Sequence, residues 1–215
     1  MKEINIEESG REKTYEFFKS FPDSTYGMNV ELDVTNLVKI VKENKKSFFI
    51  DFLYIVLKGL NSVDEMRMRL VEDKPVIYDD INPSFTVLTN TGNYVNVRCN
   101  NYKDYKTFYN EVRIIIDQAK ETSKMEVYNP EKVYNEYYIT CTPWINFSSM
   151  THPIPGDKAL QCIPRICWGK YQKDKDRYKV TLNITVSHIF VDGYPLSNAF
   201  NNIQQLLDKA EDILK

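Results

Sequence analysis

The hydrophobic period changes near the C-terminus, and this change restricts the fold more than any other feature of the chain. Polar and apolar side chains alternate strictly from Lys179 to Ser187, which predicts a half-buried β-strand. After Gly193 the apolar residues recur at helical spacing and form one stripe. The stripe consists of Leu196, Phe200, Ile203, Leu207, Ala210 and Leu214. The chain therefore passes from a strand through a tight turn into an amphipathic helix.

His188, one of the two histidines, lies at this junction on the apolar side of the strand. Histidine titrates nearest neutrality and partial burial favours its neutral form, so His188 is a candidate general base. Histidines in such settings are nevertheless more often packed and hydrogen-bonded than catalytic. Asp192 could orient His188 directly, or it could brace the turn by pairing with an arginine. We expect Gly193 to permit a backbone geometry or close approach that a Cβ would block.

The rest of the chain predicts one mixed α/β domain over residues 1–215, with antiparallel or mixed strand pairing. Helices are expected before Pro22, from about Leu37, over Phe48–Leu60 and over Tyr102–Glu121. Strands are expected over Met28–Val34, Met66–Leu70, Pro75–Tyr78, Phe85–Leu88, Glu136–Cys141, Cys162–Trp168 and Lys179–His188. The second histidine, His152, lies in an irregular Pro-rich loop, where we expect surface exposure.

Composition and motifs exclude several classes of function. The formal net charge of -2 gives no electrostatic reason to expect nucleic acid as a partner. No apolar stretch approaches the roughly 20 residues that cross a bilayer, and the N-terminus has no signal-peptide core, so a soluble cytoplasmic protein is expected. The four cysteines and two histidines show no metal-site clustering. Neither GxGxxG nor GxxxxGK[ST] occurs, which disfavours Rossmann cofactors and nucleotide hydrolysis.

Ser149 follows the aromatic-rich stretch from Pro143 to Ser148. It does not lie in a GxSxG elbow, so it is not a predicted nucleophile. Its hydroxyl could donate a hydrogen bond to a developing oxyanion, although a serine in this setting is more often an ordinary polar residue.

The sequence from His188 to Gly193 matches the HxxxDG signature of coenzyme A-dependent acyltransferases, and the chain resembles trimeric chloramphenicol acetyltransferases over nearly its whole length. The resembling segments are Arg11 to Phe18, Asp64 to Met68, Asn82 to Val87, Pro143 to Ser149, Gly169 to Tyr171 and the HxxxDG unit. The resemblance implies an α/β fold with a mixed sheet and flanking helices. It also implies a homotrimer with active sites between subunits, acetyl-CoA as donor, a small hydroxyl compound as acceptor, and no metal.

The resemblance implies a role for several positions. His188 matches the general base that deprotonates the acceptor hydroxyl, so that the alkoxide attacks acetyl-CoA without an acyl-enzyme. Ser149 matches the hydroxyl that binds the tetrahedral oxyanion. Asp192 matches a structural carboxylate that pairs with an arginine, and that arginine matches Arg11. This match favours Asp192 as a brace of the turn over Asp192 as a direct partner of His188. Lys170 and Tyr171 lie in a segment that the family places near the coenzyme.

Departures from the family pattern concentrate in the predicted acceptor pocket. Phe18 replaces a tyrosine, Cys167 replaces a threonine that orders water by the oxyanion, and Phe21-Pro22-Asp23-Ser24 replaces a Leu-Pro-Cys segment. Ser187 stands where many chloramphenicol-active members have a second histidine. Thr86 is retained, and Tyr94 matches a pocket phenylalanine.

Three functions follow from the resemblance. Chloramphenicol is the first candidate acceptor, and another hydroxyl compound is the second, because losing a hydrogen-bond partner in a pocket shifts specificity heavily. The third is a weakly active relative that binds acyl-CoA or a small ligand. The acyltransferase core of a lipoyl-dependent complex also carries HxxxDG, but it ranks lower because we find no lipoyl or peripheral-subunit-binding segment.

Overall fold

The computed structural model describes residues 1–101, 103–122 and 133–215. Its helices are α1 (Glu12–Lys19), α2 (Thr35–Asn44), α3 (Phe48–Asn61), α4 (Tyr105–Lys120), α5 (Lys158–Gln161), α6 (Gly193–Asp208) and α7 (Ala210–Ile213). Its strands are β1 (Lys2–Glu3), β2 (Thr25–Asp33), β3 (Met68–Val71), β4 (Lys74–Ile77), β5 (Asn82–Leu88), β6 (Tyr94–Arg98), β7 (Glu136–Thr142), β8 (Arg165–Gly169), β9 (Gln172–Asp174) and β10 (Arg177–Ser187). No helix of the described residues is long and apolar enough to span a membrane.

Within the described chain, seven strands form the main sheet in the order β2-β10-β8-β7-β5-β6, and β9 pairs with β10 beside this path. β7 runs parallel to β5 and β8, whereas the other pairs are antiparallel. A smaller sheet has the order β1-β4-β3. Parallel strands need a crossover connection, and the one between β7 and β8, residues 143–164, carries Ser149 across the sheet.

The first face of the main sheet, which presents Val180, Leu182, Ile184 and Val186 of β10, packs against α3 and forms the core. Helix α3 is apolar on nearly all sides and is buried accordingly. Its Phe52 ring lies 5.1 Å from that of Trp168 in β8. Gly59 lets α3 approach α6 closely, because a Cβ there would lie 2.3 Å from Ile203 Cγ1.

The second face of the main sheet is also buried along β10, so the expectation of a half-buried strand is wrong. Its side chains Thr181, Asn183, Thr185 and Ser187 are all buried. The 143–164 crossover passes over this face, and its Met150 O and His152 ring are hydrogen-bonded to Asn183. His152 lies in this crossover and is half-buried rather than exposed, because its ring is hydrogen-bonded to Asn183.

Most predicted elements are confirmed, and the differences have local causes. β3 begins at Met68 because Asp64–Arg67 forms a 3-10 turn. β8 begins at Arg165 because α5, capped by the Asp157 side chain on Leu160 N, ends at its C-cap Cys162, and Ile163 N–H still donates back to Leu160 O. Helix α4 begins at Tyr105, one residue after its cap, and Tyr102 lies outside the described residues. The short strands β1, β6 and β9 were not predicted.

Candidate active site

His188 immediately follows β10, and two aromatic rings hold its imidazole. The Phe18 ring stacks on it with centroids 3.9 Å apart and planes 9° from parallel. The Tyr26 ring lies 4.7 Å away, and the His188 backbone N–H donates to Ser24 O at 2.8 Å. The side chain remains 31% exposed. The ring is therefore held in a fixed plane but is still accessible to a ligand.

Asp192 lies between His188 and Arg11. Its Oδ2 accepts a hydrogen bond from Arg11 Nη1 at 2.6 Å. Its Oδ1 is 3.2 Å from His188 Nδ1, but the two atoms are not aligned as a hydrogen bond. Of the two arrangements that the sequence left open for Asp192, the pairing with an arginine is present as a hydrogen bond from Arg11, whereas the approach to His188 is not a hydrogen bond. Among the described residues, no hydrogen-bond partner engages His188 Nε2, on the opposite side of the ring.

The turn between His188 and α6 has a further anchor in Tyr26. The Tyr26 hydroxyl donates to Val191 O at 3.2 Å. Burial, and then the charge of Asp192, raises the pKa of Tyr26 to about 12, so this hydroxyl keeps its proton at neutral pH. The backbone of the HxxxDG segment is therefore tied to β2.

The expected backbone requirement at Gly193 is wrong for this chain. Gly193 is the first residue of α6, and its φ lies outside the left-handed region. A Cβ at this position would meet no atom of the described residues within 4 Å. The space beside Gly193 is open.

Ser187 belongs to a buried polar network that holds the segment before β2. Its hydroxyl lies 2.8 Å from Ser24 Oγ, and Gln161 Oε1 accepts from both Ser24 N and Ser24 Oγ. Gln161 Nε2 donates to Pro22 O and Pro155 O. Since Ser24 O also accepts the His188 N–H, the serine at position 187 helps to fix the backbone at His188.

Ser149 lies far from His188 within one chain. It is exposed on the 143–164 crossover, and the next residue, Met150, is hydrogen-bonded to Asn29 and Asn183 on the second face. Asn183 precedes His188 by five residues and points to the opposite face, so a strand rise of about 3.3 Å puts roughly 16 Å between them along β10. The structure does not bring these two side chains together.

The predicted acceptor residues also separate into two groups. Phe18 contacts His188 directly. The strand register places Thr86, Tyr94 and Cys167 on the second face, as it does Asn183. Cys167 is fully buried, and this burial raises the pKa of its thiol to about 11.

We call Arg11, Phe18, His188 and Asp192 the histidine group. Ser149, Thr86, Tyr94 and Cys167 form the serine group.

The predicted coenzyme residues lie where β8 ends. Lys170 is exposed, and its backbone N–H donates to Ile145 O at 2.7 Å, so it is tied to the crossover that carries Ser149. The Tyr171 ring packs against Phe48 at 4.7 Å and against Tyr178 at 5.8 Å. Among the described residues, no three His, Cys, Asp or Glu side chains are grouped to hold a metal ion.

Comparison with known proteins assigns the family and the fold. The sequence model of the family described as chloramphenicol acetyltransferase matches residues 1–204. The chain belongs to this family. It is 28% identical over 210 residues to a chloramphenicol acetyltransferase of Proteus mirabilis, with 96% of this chain and 94% of the relative covered. An Escherichia coli chloramphenicol acetyltransferase is 26% identical over 208 residues, with 96% and 93% covered.

Solved structures agree with this assignment. One chloramphenicol acetyltransferase has a TM-score of 0.88 and 27% identity, with both chains covered completely. The dihydrolipoamide acetyltransferase of Azotobacter vinelandii has a TM-score of 0.67 at 13% identity, with 100% of this chain and 94% of that chain covered, which shows a shared fold alone. The predicted family and fold class are confirmed, and the chain is an acyltransferase.

Sequence reasoning missed the polar residues that hold both groups, namely Ser24, Tyr26, Asn29, Gln161 and Asn183. A signal for one of these positions, Asn183, was present in β10. From Thr181 to Ser187 the polar side of the strand carries no charged residue, whereas an exposed strand face usually does. This composition is typical of a polar face that is covered and hydrogen-bonded.

Proposed function

We propose that the chain transfers an acetyl group from acetyl-CoA to a hydroxyl of a small molecule, with His188 as general base. The observation that carries this proposal is the fixed but accessible imidazole, with Nδ1 facing Asp192 and Nε2 open. The acceptor O–H gives its proton to Nε2 as its oxygen bonds to the thioester carbonyl carbon. Collapse of the tetrahedral intermediate breaks the C–S bond, and the coenzyme thiolate leaves with the proton from His188.

Asp192 supports this step in two ways. Its carboxylate faces the imidazolium that forms when His188 takes up the proton, and it therefore stabilises that charge. Its bond to Arg11 holds the carboxylate at the start of α6. Asp192 is therefore proposed as a brace for the site rather than as a proton carrier.

The oxyanion donor is proposed to come from a neighbouring subunit of a homotrimer. Ser149 and His188 lie apart in one chain and on opposite faces of the sheet, so one chain cannot apply both to the same thioester. Two inactive variants, His188→Ala and Ser149→Ala, provide the test when they are co-expressed. Random assortment should restore up to about a quarter of the sites if they lie between subunits. Full inactivity of the mixture, or a monomer in light scattering, would contradict the shared site.

Acetyl-CoA is proposed to bind beside Lys170 and Tyr171, where an exposed ammonium group and an aromatic ring adjoin the crossover that carries Ser149. The ammonium group suits a coenzyme phosphate, and the ring suits its base. The proposed donor is an intracellular metabolite, which fits the cytoplasmic location expected from the sequence.

Chloramphenicol is the proposed acceptor, and another hydroxyl compound is the alternative. Phe18 covers one face of His188 with a ring that has no hydroxyl group, so a hydrogen bond expected in this pocket is missing. Cys167 is buried within the chain, so any effect it has on the acceptor is indirect. The third candidate, acyl-CoA or small-ligand binding without efficient turnover, shares this geometry.

The deciding experiment measures thiol release from acetyl-CoA, with and without chloramphenicol, for the unmodified protein and for His188→Ala. Release that needs both chloramphenicol and His188 supports the proposal. Release with other alcohols alone would select the second acceptor class. Coenzyme binding without release for any acceptor would select the third candidate.

A further inference from the structure

The second face of β10 contains a buried amide that reaches towards the Ser149 segment. Asn183 is only 1% exposed and lies between Asn29 of β2 and Cys167 of β8 in the strand register. Its Nδ2 donates to Asn29 Oδ1 at 3.0 Å and to Met150 O at 3.3 Å. Its Oδ1 accepts from Thr185 Oγ1 at 3.2 Å.

The backbone next to Ser149 is held at both of its polar groups. Met150 N–H donates to Asn29 Oδ1 at 3.2 Å, while Met150 O accepts from Asn183. Because Asn29 Oδ1 also accepts from Asn183, the two asparagines and Met150 form a closed ring of hydrogen bonds. The peptide groups on either side of Met150 are thereby fixed, which restricts where the Ser149 hydroxyl can point.

His152 adds to this ring of hydrogen bonds, and we call Asn29, Met150, His152 and Asn183 the clamp. Its Nε2 lies 3.0 Å from Asn183 Oδ1. Asn183 Nδ2 faces three acceptors, Asn29 Oδ1, Met150 O and Met28 O, so Oδ1 faces His152 and His152 Nε2 carries the proton in this bond. Burial lowers the pKa of His152; the hydrogen bond with Asn183 opposes this shift, the nearby Arg165 charge adds to it, and the neutral ring is favoured.

We propose that Asn183 is a positioning residue for Ser149: with Asn29 and His152 it sets the aim of the Ser149 hydroxyl at the oxyanion. This inference rests on the proposed function of Ser149. Ser149 itself lies on an exposed connection, whereas its geometry depends on a buried amide on a central strand. An oxyanion donor stabilises the transition state only when its geometry is fixed before the reaction. Loss of these hydrogen bonds should therefore lower the rate.

The test is a double-mutant cycle between Asn183→Ala and Ser149→Ala, with kcat and KM measured for thiol release. Misplacement of the donor should lower kcat by roughly 10-fold to 100-fold in Asn183→Ala, with KM changed little. In the Ser149→Ala background the same substitution should change kcat by less than about 2-fold, because nothing is left to position. Equal losses in both backgrounds would overturn the inference.

Asn29→Ala provides a second variant whose site is exposed, so it does not disturb the core. It removes the acceptor of Met150 N–H. Like Asn183→Ala, it should lower kcat when Ser149 is present and change kcat little in the Ser149→Ala background. Thr181→Val, on the same face of β10 but outside this clamp, is the matched control and should leave kcat unchanged.

Amide hydrogen exchange tests the clamp without relying on activity. Exchange of the Met150 amide should accelerate in Asn29→Ala and stay unchanged in Thr181→Val. Unchanged exchange in Asn29→Ala overturns the inference. Failure of the proposed function would look different. The unmodified protein would then show no His188-dependent thiol release, even if exchange of the Met150 amide responds as expected.

Discussion

The histidine group and the serine group are held by different means. His188 and Asp192 belong to one turn between a strand and a helix, and a stacked ring and an ion pair hold their side chains. Ser149 lies on a long exposed crossover. The backbone of the next residue, Met150, is hydrogen-bonded to Asn29 of β2 and Asn183 of β10, and these bonds hold the Ser149 segment in place. The base therefore depends on charge and ring packing close to its own turn. The serine depends on a buried amide network that only the assembled sheet provides.

The largest effect is expected from removing the base. His188→Ala should lower kcat for thiol release by roughly 10²-fold to 10⁴-fold, because a positioned general base contributes about that much. Circular dichroism melting should show a folded protein, since the ring is partly exposed. Phe18→Leu, which removes the stacked ring but keeps the base, is the matched comparison and should lose less. Activity near that of the unmodified protein in His188→Ala would contradict the role of the histidine group.

Removing the serine hydroxyl should cost less than removing the base. Ser149→Ala should lower kcat by roughly 10²-fold to 10³-fold, as loss of one oxyanion donor does elsewhere. KM for either substrate should change little, because the hydrogen bond forms to the transition state. The neighbouring Ser148→Ala is the control. A similar loss in both variants would indicate damage to the crossover rather than loss of a donor.

Breaking the ion pair in the histidine group should affect activity and stability together. Asp192→Asn should lower kcat by about 10-fold, through the misplaced and less stabilised imidazolium. It should lower Tm by roughly 2–4 °C, which corresponds to about 1 kcal/mol in a chain of this size. Arg177→Gln, which breaks the more exposed pair with Asp33, is the control and should leave activity intact. An activity loss with unchanged Tm would contradict the brace.

The smallest effect is a pH dependence of the hydrogen bonds that His152 makes beside Ser149. The pKa of His152 is lowered on folding, so its neutral form is favoured in the folded state and stability is complete above the unfolded pKa near 6.5. As pH falls below that value, the unfolded chain binds a proton first and stability is lost. Tm should therefore fall more steeply below pH 6.5 in the unmodified protein than in His152→Gln. Parallel curves would show that the clamp is not sensitive to protonation.

Local patterns predicted much of the histidine group. Strict alternation up to Ser187 and helical spacing after Gly193 located the strand, the turn and the helix, and these were confirmed. Arg11 was out of reach for pattern alone, since it lies 181 residues from Asp192 and entered only through the family resemblance. The role of Gly193 was misjudged because glycine in an Asp-Gly pair was taken as a conformational requirement, whereas here it simply begins a helix.

The serine group was harder to predict, because its neighbours are set by strand register. Alternation identifies two faces of β10 but does not say whether the second face is exposed. The crossover after β7 decides that, and its path depends on the parallel pairing of β7 with β8. Thus Asn183, expected on a polar face, is buried, His152, expected on the surface, is half-buried, and both belong to one clamp.

The sequence by itself determined the family, the acyltransferase motif and the positions of most helices and strands, because these depend on local period and on matching residues. Only the tertiary structure decided which residues share a site. It separated His188 from Ser149 by placing them on opposite faces of one sheet, and it joined Asn29, Met150 and Asn183 across three segments. The physical reason is that hydrogen bonds and ion pairs act over a few ångströms in space, whatever the distance along the chain.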